Sequence, residues 1–460
     1  MHHDHDPLRA RLAQSGKAPA TALSDILGAF SYALDLSEGQ PEGHSLRCTW
    51  IAMRLADALG VSGVVRRDIY YAVMLKDLGC SSNAARIAEL YLADDRELKQ
   101  AYKQMGTDLG SVLGFVFKNT GEGHGFVERA KAIGHILKNG EAITRSLIQT
   151  RSVRGAEIAR KLRFSEDVAA AIHGLDEHWD GSGRPQGLSG EDIPLGSRIA
   201  LLAQIVDTFF MGSGGAAALA EVASRSGRWL DPALCRTFMD VAQDGSIWRE
   251  LWSDTIGAMV SAIEPPGANM HVDEDYLDDI AAAFGEVIDA KSPYTAGHSV
   301  RVGDYADRVG AVLGMDEASR RKLRRAAMLH DVGKLGVSSA ILEKPGKLDA
   351  DEWHVMQNHT VHTAAILGRI SVLGDMAMIA GAHHERLDGA GYPLRLDARS
   401  ISRETRIITV CDFYDALTAD RPYRAALSRA EALEVMAQEV GKAIDADCFA
   451  ALKQAVEGES

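Results

Sequence analysis

The spacing of apolar side chains is helical along nearly the whole chain. In HSVRVGDYADRVGAVLGM, Val302, Tyr305, Ala306, Val309 and Leu313 recur at near-helical intervals, which marks one apolar helix face. Similar stripes run through residues 317–330, 352–370, 403–418 and 428–440. No convincing set of alternating strands interrupts them, and the pattern predicts an all-α protein. The segment EPPGANM, Glu264–Met270, stops the periodicity, because two adjacent prolines and a glycine break a helix. It predicts a linker at 264–271 between a domain at 21–263 and a domain at 272–460. The opening MHHDHDPLRA predicts a solvated polar tail over residues 1–20.

The two predicted domains repeat one another. GHSLRCTWIAMRLADALG from Gly43 aligns with GHSVRVGDYADRVGAVLG from Gly297, at an offset of 254. The same offset sets AVMLKDLGC (Ala72 to Cys80) under AAMLHDVGK (Ala326 to Lys334). Further on, EHWDGSGRPQGL from Glu177 aligns with ERLDGAGYPLRL from Glu385, and SRIALLAQIVD (Ser197 to Asp207) with TRIITVCDFYD (Thr405 to Asp415), now at 208. The first copy therefore carries about 46 extra residues, an insertion near 81–150.

Composition narrows the class. The 460-residue chain is long enough for two or three cores, and its 46% hydrophobic and 25% charged content is ordinary for a globular protein. A net charge of −14 argues against a nucleic-acid or acidic-membrane partner, though not against a phosphate-bearing substrate. No apolar run approaches the roughly 20 residues of a membrane span and no signal-peptide pattern is seen. Five scattered cysteines form no CxxC pair, so neither a disulfide framework nor a cysteine zinc site is indicated. A cytoplasmic setting is expected.

The chemistry gathers in the second copy. HDVGK, His330 to Lys334, ends an apolar helix and offers imidazole and carboxylate from neighbouring positions. His298 lies upstream in TAGHS; His359, the pair His383 and His384, and Asp412 in VCDFYDAL lie downstream. Five histidines and two aspartates suit two first-row transition metals with positions left for water and substrate. Each also has a structural reading by itself: His298 a helix start, His359 a surface residue, Asp412 a buried acid tied to an arginine. Spacing alone does not separate His359 from His354 and His362.

His330-Asp331 together with HHERLDGAGYP, His383 to Pro393, resembles the HD-GYP family, a branch of the HD-domain metal-dependent phosphohydrolases. DAKSPYTAGHSVRV, LHDVGK and VCDFYDALTADRPYR stand in the family's order, and the match covers roughly Asp275 to Glu457. The resemblance implies two tandem HD-type helical domains, the C-terminal one an HD-GYP domain that hydrolyses cyclic di-GMP to pGpG or GMP. It implies His298, His330, Asp331, His359, His383, His384 and Asp412 as ligands of two divalent metals, iron or manganese rather than zinc. Asp331 would bridge the ions, and Lys334 would stabilise phosphoryl charge. Arg421 and Arg424 would meet the substrate, and Tyr392 with Pro393 would shape the pocket wall beside it. Thr363 stands where the family usually has glycine. Tyr294 stands where members with three metals carry glutamate, which is why two are expected.

Across the repeat the ligands are lost. His44 and Asp77 remain, but His330 becomes Lys76, His359 becomes Arg151, His383 and His384 become Leu175 and Asp176, and Asp412 becomes Gln204. Two cations in place of imidazoles repel a divalent metal. The first copy reads as a degenerate domain for sensing, packing, dimerisation or a signalling partner, with a site for another ligand beside Lys76 and Arg151 a further reading. Alternative activities are hydrolysis of another nucleotide or cyclic dinucleotide, or reception of the dinucleotide without turnover.

Overall fold

A computed structural model describes residues 23–105, 109–265, 272–420 and 424–457. The predicted tail at 1–20, most of the predicted linker, and Arg421 lie outside them. Among the described residues the elements are α- and 3-10 helices, with only three isolated β-bridges, as the all-α pattern requires.

The chain divides into two compact units. Among the described residues, one comprises those up to Ala29, Gly297–Lys334 and those from Asp349 onward; the other comprises those from Phe30 to Ala296 and Leu335–Leu348. This division differs from a break at 264–271, because helix Glu274–Asp289 belongs with the preceding residues. The Tyr276 hydroxyl donates to the Leu162 carbonyl at 3.0 Å, and Ser81 donates to the Val287 carbonyl at 2.8 Å. Phe284 stacks on Phe30 with ring centroids 3.7 Å apart. The apolar face of this helix is thus already covered from the N-terminal side of the prolines.

In the unit that carries the motifs, helix His298–Val312 is the hub. Its predicted stripe is buried at Val302, Ala306 and Val309. It packs against helices Glu317–Leu329, Arg403–Thr418 and Ala446–Glu457. Gly303 lets helix Glu317–Leu329 approach, since a Cβ there would come within 2.8 Å of the Met328 side chain. Helix Ala350–Leu367 starts at a full capping box, Asp349 with Glu352, and packs on helix Gly374–Gly381.

The other unit repeats this plan around helix His44–Ala58, which packs on Gly63–Met74, Leu195–Ser213 and Pro232–Val241. Both hub helices begin after a glycine in the left-handed region, Gly43 at φ 82° and Gly297 at φ 72°, where a side chain would be strained. The predicted insertion forms helices Ala84–Tyr91, Asp95–Lys103 and Leu109–Asn119, and extends Phe126–Lys161 to 36 residues. Leu98, Phe115, Val116 and Ile136 give it a small core. Helix Leu195–Ser213 is long and apolar enough to cross a membrane by length and composition, contrary to the sequence expectation. Its apolar window is 72% buried within the protein, so its side chains already form core.

Candidate metal centre

Gly297 sets His298 on the first turn of the hub helix. The His298 Nδ1–H donates to Asp415 Oδ2 at 2.7 Å, and Arg301 holds that carboxylate through Nε at 2.6 Å and Nη2 at 2.9 Å. Three more histidines share a different device. Nδ1 of His330, His359 and His383 each lies 2.6 Å from the carbonyl three residues earlier, of Ala327, Met356 and Ala380. A carbonyl or carboxylate only accepts, so Nδ1 carries the proton and Nε2 keeps its lone pair.

Those lone pairs converge on Asp331, which is fully buried. Its Oδ2 lies 3.5 Å from His298 Nε2 and 3.3 Å from His330 Nε2, while Oδ1 lies 3.6 Å from His359 Nε2 and 3.7 Å from His383 Nε2. Asp412 Oδ1 completes the first corner, 3.5 Å from His298 and 3.7 Å from His330. His384 completes the second, its ring 4.1 Å from His383 and 5.1 Å from His359. The donor atoms of His298, His330 and Asp412 form one group within 4.8 Å, and those of His359, His383 and His384 form another. The separations of 3.3–3.7 Å from Asp331 to its four histidines are what ligands at about 2.0–2.2 Å from one ion show between themselves.

The donor chemistry fits metal on two counts. Nε2 of His298 and His330 and Oδ1 of Asp331 are buried with no hydrogen-bond partner. Nε2 of His359 and of His383 face one another at 3.4 Å, both as lone pairs, an arrangement that repels unless a cation lies between. Protonation follows the same division. Burial drives His359 down to about 3 and His384 to about 4, and His383 well below its usual value, so these rings are neutral ligands. Burial also opposes charge on His330, but Asp331 and Asp412 outweigh it and raise it to about 10. That corner demands positive charge, which a proton or a metal ion supplies.

The motif turns are held by backbone. A Cβ on Gly333 would come within 1.9 Å of the His359 carbonyl, so the turn after Asp331 presses directly on helix Ala350–Leu367. Thr363 locks this contact, donating to the His330 carbonyl at 2.9 Å and accepting from the Gly333 amide at 3.0 Å. The departure from glycine at that position is therefore a structural tie. Glu385 accepts from the amides of Leu394 at 2.6 Å and Leu396 at 2.8 Å, which folds the glycine-rich turn back so that the Tyr392 ring lies 4.9 Å from His384. Lys334 reaches Asp331 Oδ2 at 2.5 Å.

All seven sequence-assigned ligands thus come together, and His359 joins them while His354 and His362 belong to neither donor group. Arg424 is engaged elsewhere, donating to the carbonyls of Ala416 at 2.7 Å and Leu417 at 2.9 Å, so it caps the end of helix Arg403–Thr418. Sequence reasoning missed Asp415; its retention as Asp207 in the first copy was the available signal. The acid tied to an arginine is Asp415, not Asp412.

In the degenerate repeat the same frame holds different chemistry. His44 Nδ1 lies 2.6 Å from Asp207 Oδ2, and Arg47 Nε lies 2.6 Å from Asp207 Oδ1. A Cβ on Gly79 would meet the Arg151 carbonyl at 1.9 Å, as Gly333 meets His359. Lys76 pairs with Asp77, and Arg151 lies 2.5 Å from Asp176. Helix Asp95–Lys103 of the insertion adds two cations, Lys99 at 3.1 Å and Lys103 at 3.2 Å from Glu38, with Lys103 also 3.9 Å from Asp77. Glu38, Asp77 and Cys80 lie close enough to share an ion, as do His44, Cys48 and Asp207. Their carboxylates are already neutralised by lysine or arginine, and burial holds both thiols well above their usual range.

Comparison with known proteins agrees with this architecture. The HD domain family model matches residues 124–234 and 283–448. The chain is 49% identical over 434 residues to the 3'3'-cGAMP-specific phosphodiesterase 3 of Vibrio cholerae serotype O1, covering 94% of each chain. It is 37% identical over 153 residues to a cyclic di-GMP phosphodiesterase of Thermotoga maritima, covering 33% of this chain and 42% of that one. The crystal structure of a cyclic GMP-AMP specific phosphodiesterase from V. cholerae matches with a TM-score of 0.65 and 44% identity, covering 95% of this chain and 98% of that one. The chain belongs to the HD domain family, metal-dependent phosphohydrolases. Within it, the complete HHExxDGxGYP turn marks the HD-GYP branch, here preceded by a degenerate HD repeat.

Proposed function

We propose that this protein is a phosphodiesterase that opens cyclic dinucleotides, with 3'3'-cyclic GMP-AMP as its preferred substrate. The observation that carries the phosphodiesterase reading is Asp331 standing between two separate ligand triads, one on each carboxylate oxygen. Sequence reasoning led to cyclic di-GMP; the 49% identity to a protein named for 3'3'-cGAMP over 94% of both chains moves the preference to the mixed dinucleotide.

Two divalent ions in the triads would activate water and offset phosphate charge. Iron and manganese suit the histidine-carboxylate set. His298, His330 and Asp412 would hold one ion, His359, His383 and His384 the other, and Asp331 both. The carbonyls of Ala327, Met356 and Ala380 and the carboxylate of Asp415 keep the Nε2 lone pairs turned inward. Lys334, beside Asp331, would face the phosphoryl oxygens as charge grows on them. Water oxygen bonds to phosphorus and the P–O3' bond breaks, leaving a 5'-phosphate and a 3'-hydroxyl on a linear dinucleotide. Arg421 is proposed to meet the substrate; Arg424 would first have to leave its carbonyls. The degenerate repeat is proposed to serve regulation, dimerisation or a signalling partner, in a cytoplasmic protein whose five cysteines are all free.

The test is anaerobic preparation with iron or manganese, metal analysis, and turnover of 3'3'-cGAMP against cyclic di-GMP. A higher kcat/KM for 3'3'-cGAMP is expected. A fully loaded protein that binds either dinucleotide and cleaves neither would be a receptor, and the proposal would be wrong.

A further inference from the structure

The metal centre ends at a pair of aromatic rings for which the metal chemistry has no use. The Tyr392 ring lies 4.9 Å from the ring of His384 and 6.4 Å from that of His359. Trp353 meets the same tyrosine nearly edge-on, with centroids 5.9 Å apart and planes at 78°. The indole is therefore two ring contacts from a metal-ligand histidine, within the reach of a nucleoside from its own phosphate. It nevertheless remains 47% exposed.

An indole open to water forfeits the burial that stabilises most tryptophans, unless something else covers it. Its mounting is rigid. Trp353 stands in the first turn of helix Ala350–Leu367, where Asp349 and Glu352 close the capping box and the Trp353 amide donates to the Asp349 carbonyl at 2.9 Å. The same helix buries His359, so the platform and a ligand share one stiff element. An aromatic face fixed beside a phosphate site is what a nucleobase needs, because every base offers a π-face to stack on.

We propose that Trp353 is the stacking platform for one purine base of the cyclic dinucleotide, with Tyr392 bracing the indole. This rests on the cyclic-dinucleotide reading of the same site. Stacking recognises the ring face and not its edge, so Trp353 contributes equally to an adenine and a guanine. Selection between 3'3'-cGAMP and cyclic di-GMP is then made by other residues.

The test compares Trp353→Ala, Trp353→Leu and Trp353→Phe in the full metal-loaded chain. The alanine and leucine variants should raise KM roughly tenfold, for both dinucleotides alike, with a smaller effect on kcat. Phenylalanine should restore most of the loss, because it keeps a stacking face. Binding of a phosphorothioate analogue that resists cleavage should quench part of the emission of the six tryptophans in the wild type. That quench should vanish in Trp353→Phe. Wild-type cleavage of bis(p-nitrophenyl) phosphate checks the phosphodiesterase reading separately.

An unchanged KM in Trp353→Ala, with dinucleotide turnover intact, overturns the platform and leaves the proposed function standing. A leucine variant as good as phenylalanine shows packing on Tyr392, and also overturns it. Loss of folding in the alanine variant, seen by melting, leaves the leucine–phenylalanine pair and the quench to decide. A loaded wild type that cleaves neither a dinucleotide nor the model diester removes both readings together.

Discussion

Replacing Asp415 by asparagine tests whether a buried acid outside the ligand set controls the metals. Asp415 accepts from His298 at 2.7 Å and from Arg301 at 2.6 and 2.9 Å, and these bonds outweigh burial to keep its carboxyl below the usual range. An amide cannot accept from both sides, so in Asp415→Asn one N–H must face another donor. Where that N–H faces His298, the ring loses the partner that fixes its tautomer. Loss of such an outer partner typically costs about 10–100-fold in metal affinity or activity. Stability should suffer less, because the Arg301 side chain is 39% exposed and can turn to water.

Asp207→Asn is the internal control. It removes the same acid from the same geometry in the repeat that lacks the ligand set. There Arg47 is only 5% exposed and His44 not at all, so the stranded guanidinium costs roughly 3–5 kcal/mol. That loss should lower melting of its unit by something on the order of 10 °C. The assay is metal content after a chelator challenge, turnover of 3'3'-cGAMP, and thermal melting, on both full-length variants. Asp415→Asn should lose metal and activity, and Asp207→Asn chiefly melting temperature. Equal metal retention in the two variants would refute the orienting role.

Asp331→Ala should abolish binding of both ions, because each triad shares one of its oxygens, while Lys334→Ala should keep the metals and lose about 10²–10³ in rate; metal loss in the lysine variant would show the roles misassigned. The degenerate repeat should add no metal, so full-length Asp331→Ala should emerge metal-free from anaerobic preparation. Stoichiometric metal in it, removed by a further Asp77→Ala, would assign an ion to the first copy. Asp35 is raised by burial to about 7, against the bonds from Ser45. Its folded state favours the proton, so its contribution to stability is full below about pH 4 and falls as pH rises to about 7, by something on the order of 4 kcal/mol. Asp35→Asn should flatten the fall in melting temperature between pH 5 and 8; an unchanged slope would exclude this residue as its source.

The clustered donor residues and the repeat were legible without a structure because each is written locally. His330-Asp331 and His383-His384 sit in short turns whose geometry is fixed by neighbours such as Gly333 and Glu385, so a string of a dozen residues carries most of their placement. The helical period likewise gave the buried face of His298–Val312, since one face of a helix meets its core at regular spacing. What packing alone decided spans far longer intervals. Asp415 reaches His298 across 117 positions, a pairing that depends on how helices His298–Val312 and Arg403–Thr418 cross. Helix Glu274–Asp289 joined residues upstream of the double proline because its apolar face found Phe30 there, and a proline breaks a helix without choosing its neighbours. Arg424 turned back to the end of the preceding helix, Arg403–Thr418, where the carbonyls of the last turn attract a guanidinium. Lys99 and Lys103 come from an insertion that spacing could locate but not aim. Only the folded chain showed that they charge the centre of the copy that lacks the histidine set.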